Sequence, residues 1–192
     1  MVLGALLDDT GYKIVLVLHI LTVIVGIGAV TLNGLYGAQV KARMGPEGKA
    51  IFEANLKVSA IAEYFVYAIP VFGIALVFMS DDVIEFDQTW IWLSILIYIV
   101  AMGISHGVMF PTARKMQALM TELNAMGPPP GAGGPGAGGP PPGAVGPPPG
   151  AGGPPPQVAQ LEAMGKKLGV GGTTLNLLTV VLVVLMVWKP GL

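Results

Sequence analysis

Three side chains could carry chemistry inside an apolar environment: the carboxylate of Glu63 and the imidazoles of His19 and His106. Glu63 lies in an apolar run from Val58 to Met79, and His106 in another from Trp90 to Phe110. A carboxylate in hydrocarbon either protonates or finds a partner, and an imidazole at matching depth is the best partner on offer. With ~1.5 Å rise per residue, Glu63 stands roughly 9 Å along its helix from Lys57, and His106 roughly 9 Å from Thr112. Asn33 and Asn176 fall at a similar level of two other apolar runs, and Tyr67 follows Glu63 by one helical turn. These five residues define a candidate buried polar site that handles a proton or binds a ligand. The structural alternative is an interhelical hydrogen-bond network that fixes packing.

His19 is a different case. It lies past the middle of its run toward the opposite end from His106, with an expected offset of roughly 15 to 18 Å along the axis at ~1.5 Å per residue. Two axial histidines of one haem must share a level, so His19 and His106 are not expected to share one. A b-type haem held by one of them, His19 or His106, stays open as the cofactor reading. A protein metal site does not: the chain has no cysteine, no His-x-x-x-His and no third ligand converging at one depth. No nucleophile triad, phosphate loop or dinucleotide fingerprint occurs, so the reading leans away from an enzyme.

Four apolar runs position these groups. Apolar residues make up 53% of the 192 and charged residues 11%, well under the quarter or so of a soluble domain. The expected spans are about 13–36, 58–79, 90–110 and 170–188, each long enough to cross a hydrocarbon core. Fold class is therefore all-α: a polytopic four-helix membrane bundle. Met1–Lys13 carries Asp8 and Asp9 where a signal peptide wants basic residues, so the first run reads as a retained span. Net charge is −1, which argues against a nucleic-acid partner. The implied partners are the lipid bilayer, other membrane subunits or further copies of the chain.

In the first run His19, Thr22, Gly26, Ala29, Asn33 and Gly37 form one small and polar stripe. Such residues let helix backbones approach, so this stripe should face inward, with Ile14, Val17, Ile20, Leu21, Ile24, Leu32 and Leu35 facing lipid. Pro46 suits the first turn of a helix that lies at the interface and then enters the bilayer. Pro70, with Gly73 three residues on, should kink the second span.

Between spans three and four, Met116, Leu119, Met120, Leu123 and Met126 form an apolar stripe, and Val158, Leu161, Met164 and Leu168 a second. The two should pair as a short helical hairpin. Its tip is residues 127–156, made only of Pro, Gly, Ala and one Val, with Pro-Pro-Pro-Gly-Ala recurring at 128, 140 and 147. Glycine does not recur at every third position, so this is no collagen, and with no side chains to bury it should be a disordered linker. The chain thus divides into 1–126, the linker 127–156, and 157–192.

Basic residues set the orientation. Lys41, Arg43, Lys49 and Lys57 lie between spans one and two, and Arg114, Lys115, Lys166 and Lys167 between three and four. The remaining connection carries Asp81, Asp82, Glu85 and Asp87 and no basic residue. The positive-inside rule puts both basic connections and the Pro/Gly loop in the cytoplasm and both termini outside. Trp90, Trp92 and Trp188 then all fall at the outer interface.

The first span opens Tyr12-Lys-Ile-Val-Leu-Val-Leu-His19-Ile-Leu and closes Asn33-Gly-Leu-Tyr-Gly-Ala-Gln39. A Leu-His opening followed by a small-residue stripe resembles the bacterial integral-membrane family DUF2269. The resemblance covers the four spans and excludes the linker. It implies a small four-span protein of the bacterial inner membrane and carries over no activity and no catalytic residue. Two functions follow as expectations: a proton-linked or electron-transfer-associated membrane subunit built on the Glu63/His106 site, or an accessory, assembly or scaffolding subunit with no chemistry of its own.

Overall fold

The computed structural model describes residues 9–43, 45–81, 83–126 and 156–190. They form helices α1 (Thr10–Ala42), α2 (Pro46–Phe78), α3 (Thr89–Ile104), α4 (Phe110–Met126) and α5 (Pro156–Trp188). A five-residue π-helical turn, Ser105–Met109, joins α3 to α4 as one continuous rod. No strand occurs among the described residues, and four rods are long and apolar enough to cross a membrane. The expected linker lies outside the described residues apart from Pro156, which opens α5.

Each rod exceeds the hydrocarbon core. A 33-residue helix such as α1, α2 or α5 is ~50 Å long against ~30 Å of hydrocarbon, so each projects into the interface or water. The charges decide which end projects most. Because the rods alternate in direction, Lys41, Arg43, Lys49, Arg114, Lys115, Lys166 and Lys167 gather at one end of the bundle. That end has its own apolar core. Val40 from α1, Phe52 from α2 and Ala113, Met116 and Met120 from α4 are buried together, with Leu161, Met164 and Leu168 of α5 packed on them. The expected α4–α5 hairpin is thus half of a four-helix cap that also takes the ends of α1 and α2.

The other end is closed by Tyr12 and Leu76, buried with Val15, Leu16, Met79 and Val83 around them. Ser80 staples the acidic turn there. Fully buried, its hydroxyl accepts the Ile84 N–H at 3.0 Å and donates to the Val77 carbonyl at 2.7 Å. Trp92 and Trp188 face outward, as interfacial anchors do, but Trp90 is buried, its ring 5.6 Å from the Lys189 ammonium. Trp90 is therefore packed inward at that end of the bundle.

α1 and α2 pack along their length. The stripe expected to face inward does so at Thr22 and Gly26, which are buried; Gly37, at the basic end, is exposed. Ile14, Val17, Ile24 and Leu35 face away from the bundle, where lipid is the solvent. Gly26 sets the separation: a β-carbon there would stand 3.0 Å from Val66 Cγ2 and 3.1 Å from the Val66 backbone nitrogen. The second of these cannot rotate away. Gly26→Leu is therefore expected to cost about 1–3 kcal/mol through overpacking, read as a lowered midpoint of thermal unfolding in detergent.

α2 continues through Pro70 without interruption. Proline lacks the N–H that would bond the carbonyl four residues back, here Val66. Tyr98 of α3 supplies the missing donor, its hydroxyl reaching the Val66 oxygen at 3.3 Å. Elsewhere α2 makes most of its close backbone contacts with α1 and α4. The space this leaves is a chamber of about 2450 Å³ lined by all four spans.

Candidate functional site

Glu63, which lines this space, and the exposed Tyr67 lie one turn apart on α2. His106 reaches them from the π-helical turn. That turn holds one residue more than an α-helical one, and the Phe110 N–H bonds back five residues to Ser105. Such insertions re-aim side chains and recur at functional sites. Gly103 and Gly107, on either side of His106, are the sequence signal that could have flagged it.

Three contacts close a triangle. His106 Nε2 lies 3.1 Å from Glu63 Oε1 and 2.7 Å from the Tyr67 hydroxyl, which in turn donates to the same Glu63 oxygen. A fourth contact fixes the ring: His106 Nδ1 is 3.1 Å from the Met102 carbonyl. A carbonyl can only accept, so Nδ1 carries a hydrogen. Nε2 is then a lone pair in the neutral ring and a donor only in the charged one.

The proton count follows from this accounting. The phenol has one hydrogen to give. If Glu63 were ionised and His106 neutral, a carboxylate oxygen would face an imidazole lone pair at 3.1 Å with no hydrogen between them. One proton more gives the triangle two hydrogens for its three contacts, against one without it. That proton sits on His106, which donates to Glu63 while Tyr67 also donates to Glu63. Alternatively it sits on Glu63, which donates to Tyr67, while Tyr67 donates to Nε2. Moving between these forms shifts hydrogens by less than a bond length along Glu63–Tyr67–His106 and displaces no heavy atom. Side-chain exposure of 26% for Glu63 and 45% for His106, with Tyr67 also exposed, shows that the triad is not the buried site expected; Glu63 and His106 line the chamber.

The remaining candidates fall elsewhere. Asn33 pairs with Ser59, whose hydroxyl donates to Asn33 Oδ1 at 3.1 Å; this bond ties α1 to α2 and does not join the triad. Asn176 lines the chamber from α5 and, among the described residues, makes no side-chain hydrogen bond to Glu63, Tyr67 or His106. Four helices thus do not converge on one polar point. Two of them supply the triad, with Glu63 and Tyr67 from α2 and His106 carried on the π-helical turn between α3 and α4.

His19 sits against α2 at Ile69 and Gly73, while His106 meets α2 at Glu63 and Tyr67. The two stations are separated by about six residues of α2, or ~9 Å. That is less than the 15–18 Å expected, because the helices slide into register by packing and do not start at a common level. It is still too far for one iron to hold both. His19 Nδ1 lies 3.1 Å from the Ile69 carbonyl, and Thr22 Oγ1 donates to the His19 carbonyl at 2.7 Å. Among the described residues no cluster of three or more His, Asp or Glu could hold a bare metal ion. Tyr98 escaped the sequence reading; the signal was Pro70, whose missing N–H requires a donor at Val66 from a neighbouring span.

No match was found among curated proteins or solved structures. A family model described as a predicted integral membrane protein, DUF2269, matches residues 13–130, more than half of the 192-residue chain. The match takes in α1 to α4 and ends before α5, so it covers three of the four spans where the resemblance had been expected to cover all of them. With four membrane-spanning rods, no strand among the described residues and that match, the chain belongs to the DUF2269 family of predicted integral membrane proteins.

Proposed function

We propose that this chain is a proton-linked subunit of the bacterial inner membrane, with Glu63, Tyr67 and His106 as its proton-holding site. One observation carries the reading: the Glu63–Tyr67–His106 triangle gains a second hydrogen bond when it takes up one proton, and Glu63 and His106 line an apolar chamber where that proton can be offered to a ligand or partner. Intramembrane ionisable groups are costly, and a purely structural clamp could be made without them. The positive-inside rule supports an orientation with the basic cap and the Pro/Gly loop in the cytoplasm and both termini outside. In that orientation the triad lies on the cytoplasmic side of His19.

The experiment is an infrared pH titration of the protein in liposomes. A carboxyl C=O band sensitive to deuterium exchange is expected, appearing as pH falls and missing from Glu63→Gln; His106→Ala should move it. A spectrum identical in wild type and Glu63→Gln across the whole titration would sink the reading. The accessory-subunit reading is favoured by a separate observation. Ser59–Asn33 and His19–Ile69 bonds clamp α1 to α2 with no titrating partner, as a packing device would. Under it, wild type and Glu63→Gln would take up the same number of protons, and deletion of residues 127–155 would instead abolish capture of a membrane partner.

A further inference from the structure

We propose that the chamber is a binding site for a non-covalently held haem, with His19 Nε2 as the axial ligand from the protein. The ring is set up for ligation. Ile69 O can only accept, so His19 Nδ1, 3.1 Å away, donates, and Nε2 of the neutral ring presents its lone pair. A ligating histidine needs that arrangement: the far nitrogen bonded to a carbonyl, which fixes tautomer and orientation and raises the basicity of the near one. Among the described residues Nε2 itself has no hydrogen-bond partner. It is not sealed off, since no side-chain nitrogen or oxygen among the described residues is both buried and unpartnered, and His19 lines the chamber.

Local packing preserves this pose. A β-carbon on Gly73 would lie 3.3 Å from His19 Cε1, tight enough that a larger side chain would push the ring off the Ile69 carbonyl. Glycine at 73 therefore keeps the seat of the imidazole clear.

The ligand class follows from what the site lacks. A single imidazole cannot hold a bare metal ion, and no cluster of three or more acidic or histidine side chains is available among the described residues. The metal must bring its own equatorial ligands, and the half-open apolar space that His19 lines has room for a flat, largely apolar macrocycle. The chain has no cysteine, which removes thioether attachment. It has two histidines, and His106 spends both ring nitrogens on Met102, Glu63 and Tyr67. A bis-histidine haem is therefore not available within one chain, and the sixth position of the iron is left to an exogenous ligand. This inference does not rest on the proton-holding role of the triad.

The test uses full-length protein purified in detergent from haem-replete cells, and the same protein titrated with hemin to cover loss during purification. Expected are a Soret band at about one haem per chain, α and β bands on dithionite reduction, and a shift of the reduced spectrum on adding carbon monoxide. His19→Ala should weaken hemin binding by at least tenfold, and added imidazole should restore the Soret band in that variant, which also shows that it folds. His106→Ala should keep the band. Hemin binding that survives His19→Ala unchanged would overturn the proposal, as would a six-coordinate bis-histidine spectrum indifferent to carbon monoxide. So would failure of the wild type to bind hemin, with an extractable quinone or single-chain lipid recovered from the chamber instead.

Discussion

His106→Ala and Glu63→Leu should each destabilise the protein more than the double variant Glu63→Leu/His106→Leu does. Removing His106 leaves Glu63 facing an apolar chamber with the phenol as its one partner, and removing Glu63 leaves Nε2 of the imidazole with Tyr67 alone. A polar group left unsatisfied costs about 1–3 kcal/mol, whereas replacing both partners with apolar groups of similar size is close to neutral. Partial exposure to the chamber keeps the single costs at the low end of that range. Equilibrium unfolding of wild type, both singles and the double in one detergent gives the coupling energy directly. Additive effects would mean that the two side chains do not interact in the folded protein, and the shared proton would then have no host. Glu63→Leu and the double variant are expected to lose the exchangeable carboxyl band and His106→Ala to shift it, so stability and proton binding separate: the double variant is folded and proton-silent.

Phe52→Ala is expected to have the largest effect on stability, about 3–5 kcal/mol, with Met116→Ala at about 2–5. Phe52 is 7% exposed at the centre of the basic cap, touching the region where α1, α4 and α5 come together. The size of the effect depends on where the cap sits. Inside the bilayer, an apolar side chain released from packing meets lipid tails as apolar as itself, and the hydrophobic effect contributes little. At the end of rods ~50 Å long, the alternative surroundings are headgroups and water, so burial there carries its full worth. The same truncation on the outward face of a span, for example Ile24→Ala, should cost much less. Protease susceptibility of the α4–α5 connection should rise in Phe52→Ala and stay unchanged in Ile24→Ala.

Much of the architecture was legible without coordinates. Four apolar runs of spanning length leave few other folds open, since backbone polar groups in hydrocarbon must be satisfied within each helix. The small and polar stripe from His19 to Asn33 fixed which face of α1 turns inward, and four-residue spacing on one helix was enough to pair Tyr67 with Glu63. Both are local properties: period and spacing survive in any packing of the helices.

What the chain could not disclose is register between helices. Depth counted from assumed span borders placed Asn33, Glu63, His106 and Asn176 at one level, yet only Glu63 and His106 meet, because a π-helical turn adds a residue just where His106 is aimed. The distance between the histidine stations shrank to ~9 Å for a similar reason: side-chain packing, not a common starting line, sets how far one rod slides past another. The roles of the two histidines are likewise tertiary. Both are imidazoles in apolar helices, and both bond a backbone carbonyl through Nδ1. One finds a carboxylate and a phenol opposite its Nε2 and becomes part of a hydrogen-bonded triangle, while the other faces a glycine and an apolar chamber. Sequence determined that two polar stations would lie within the membrane, because burying them is costly enough to leave a mark in composition. Only the folded structure decided what each one faces, because that depends on contacts between residues 39 to 50 positions apart, which no local pattern encodes.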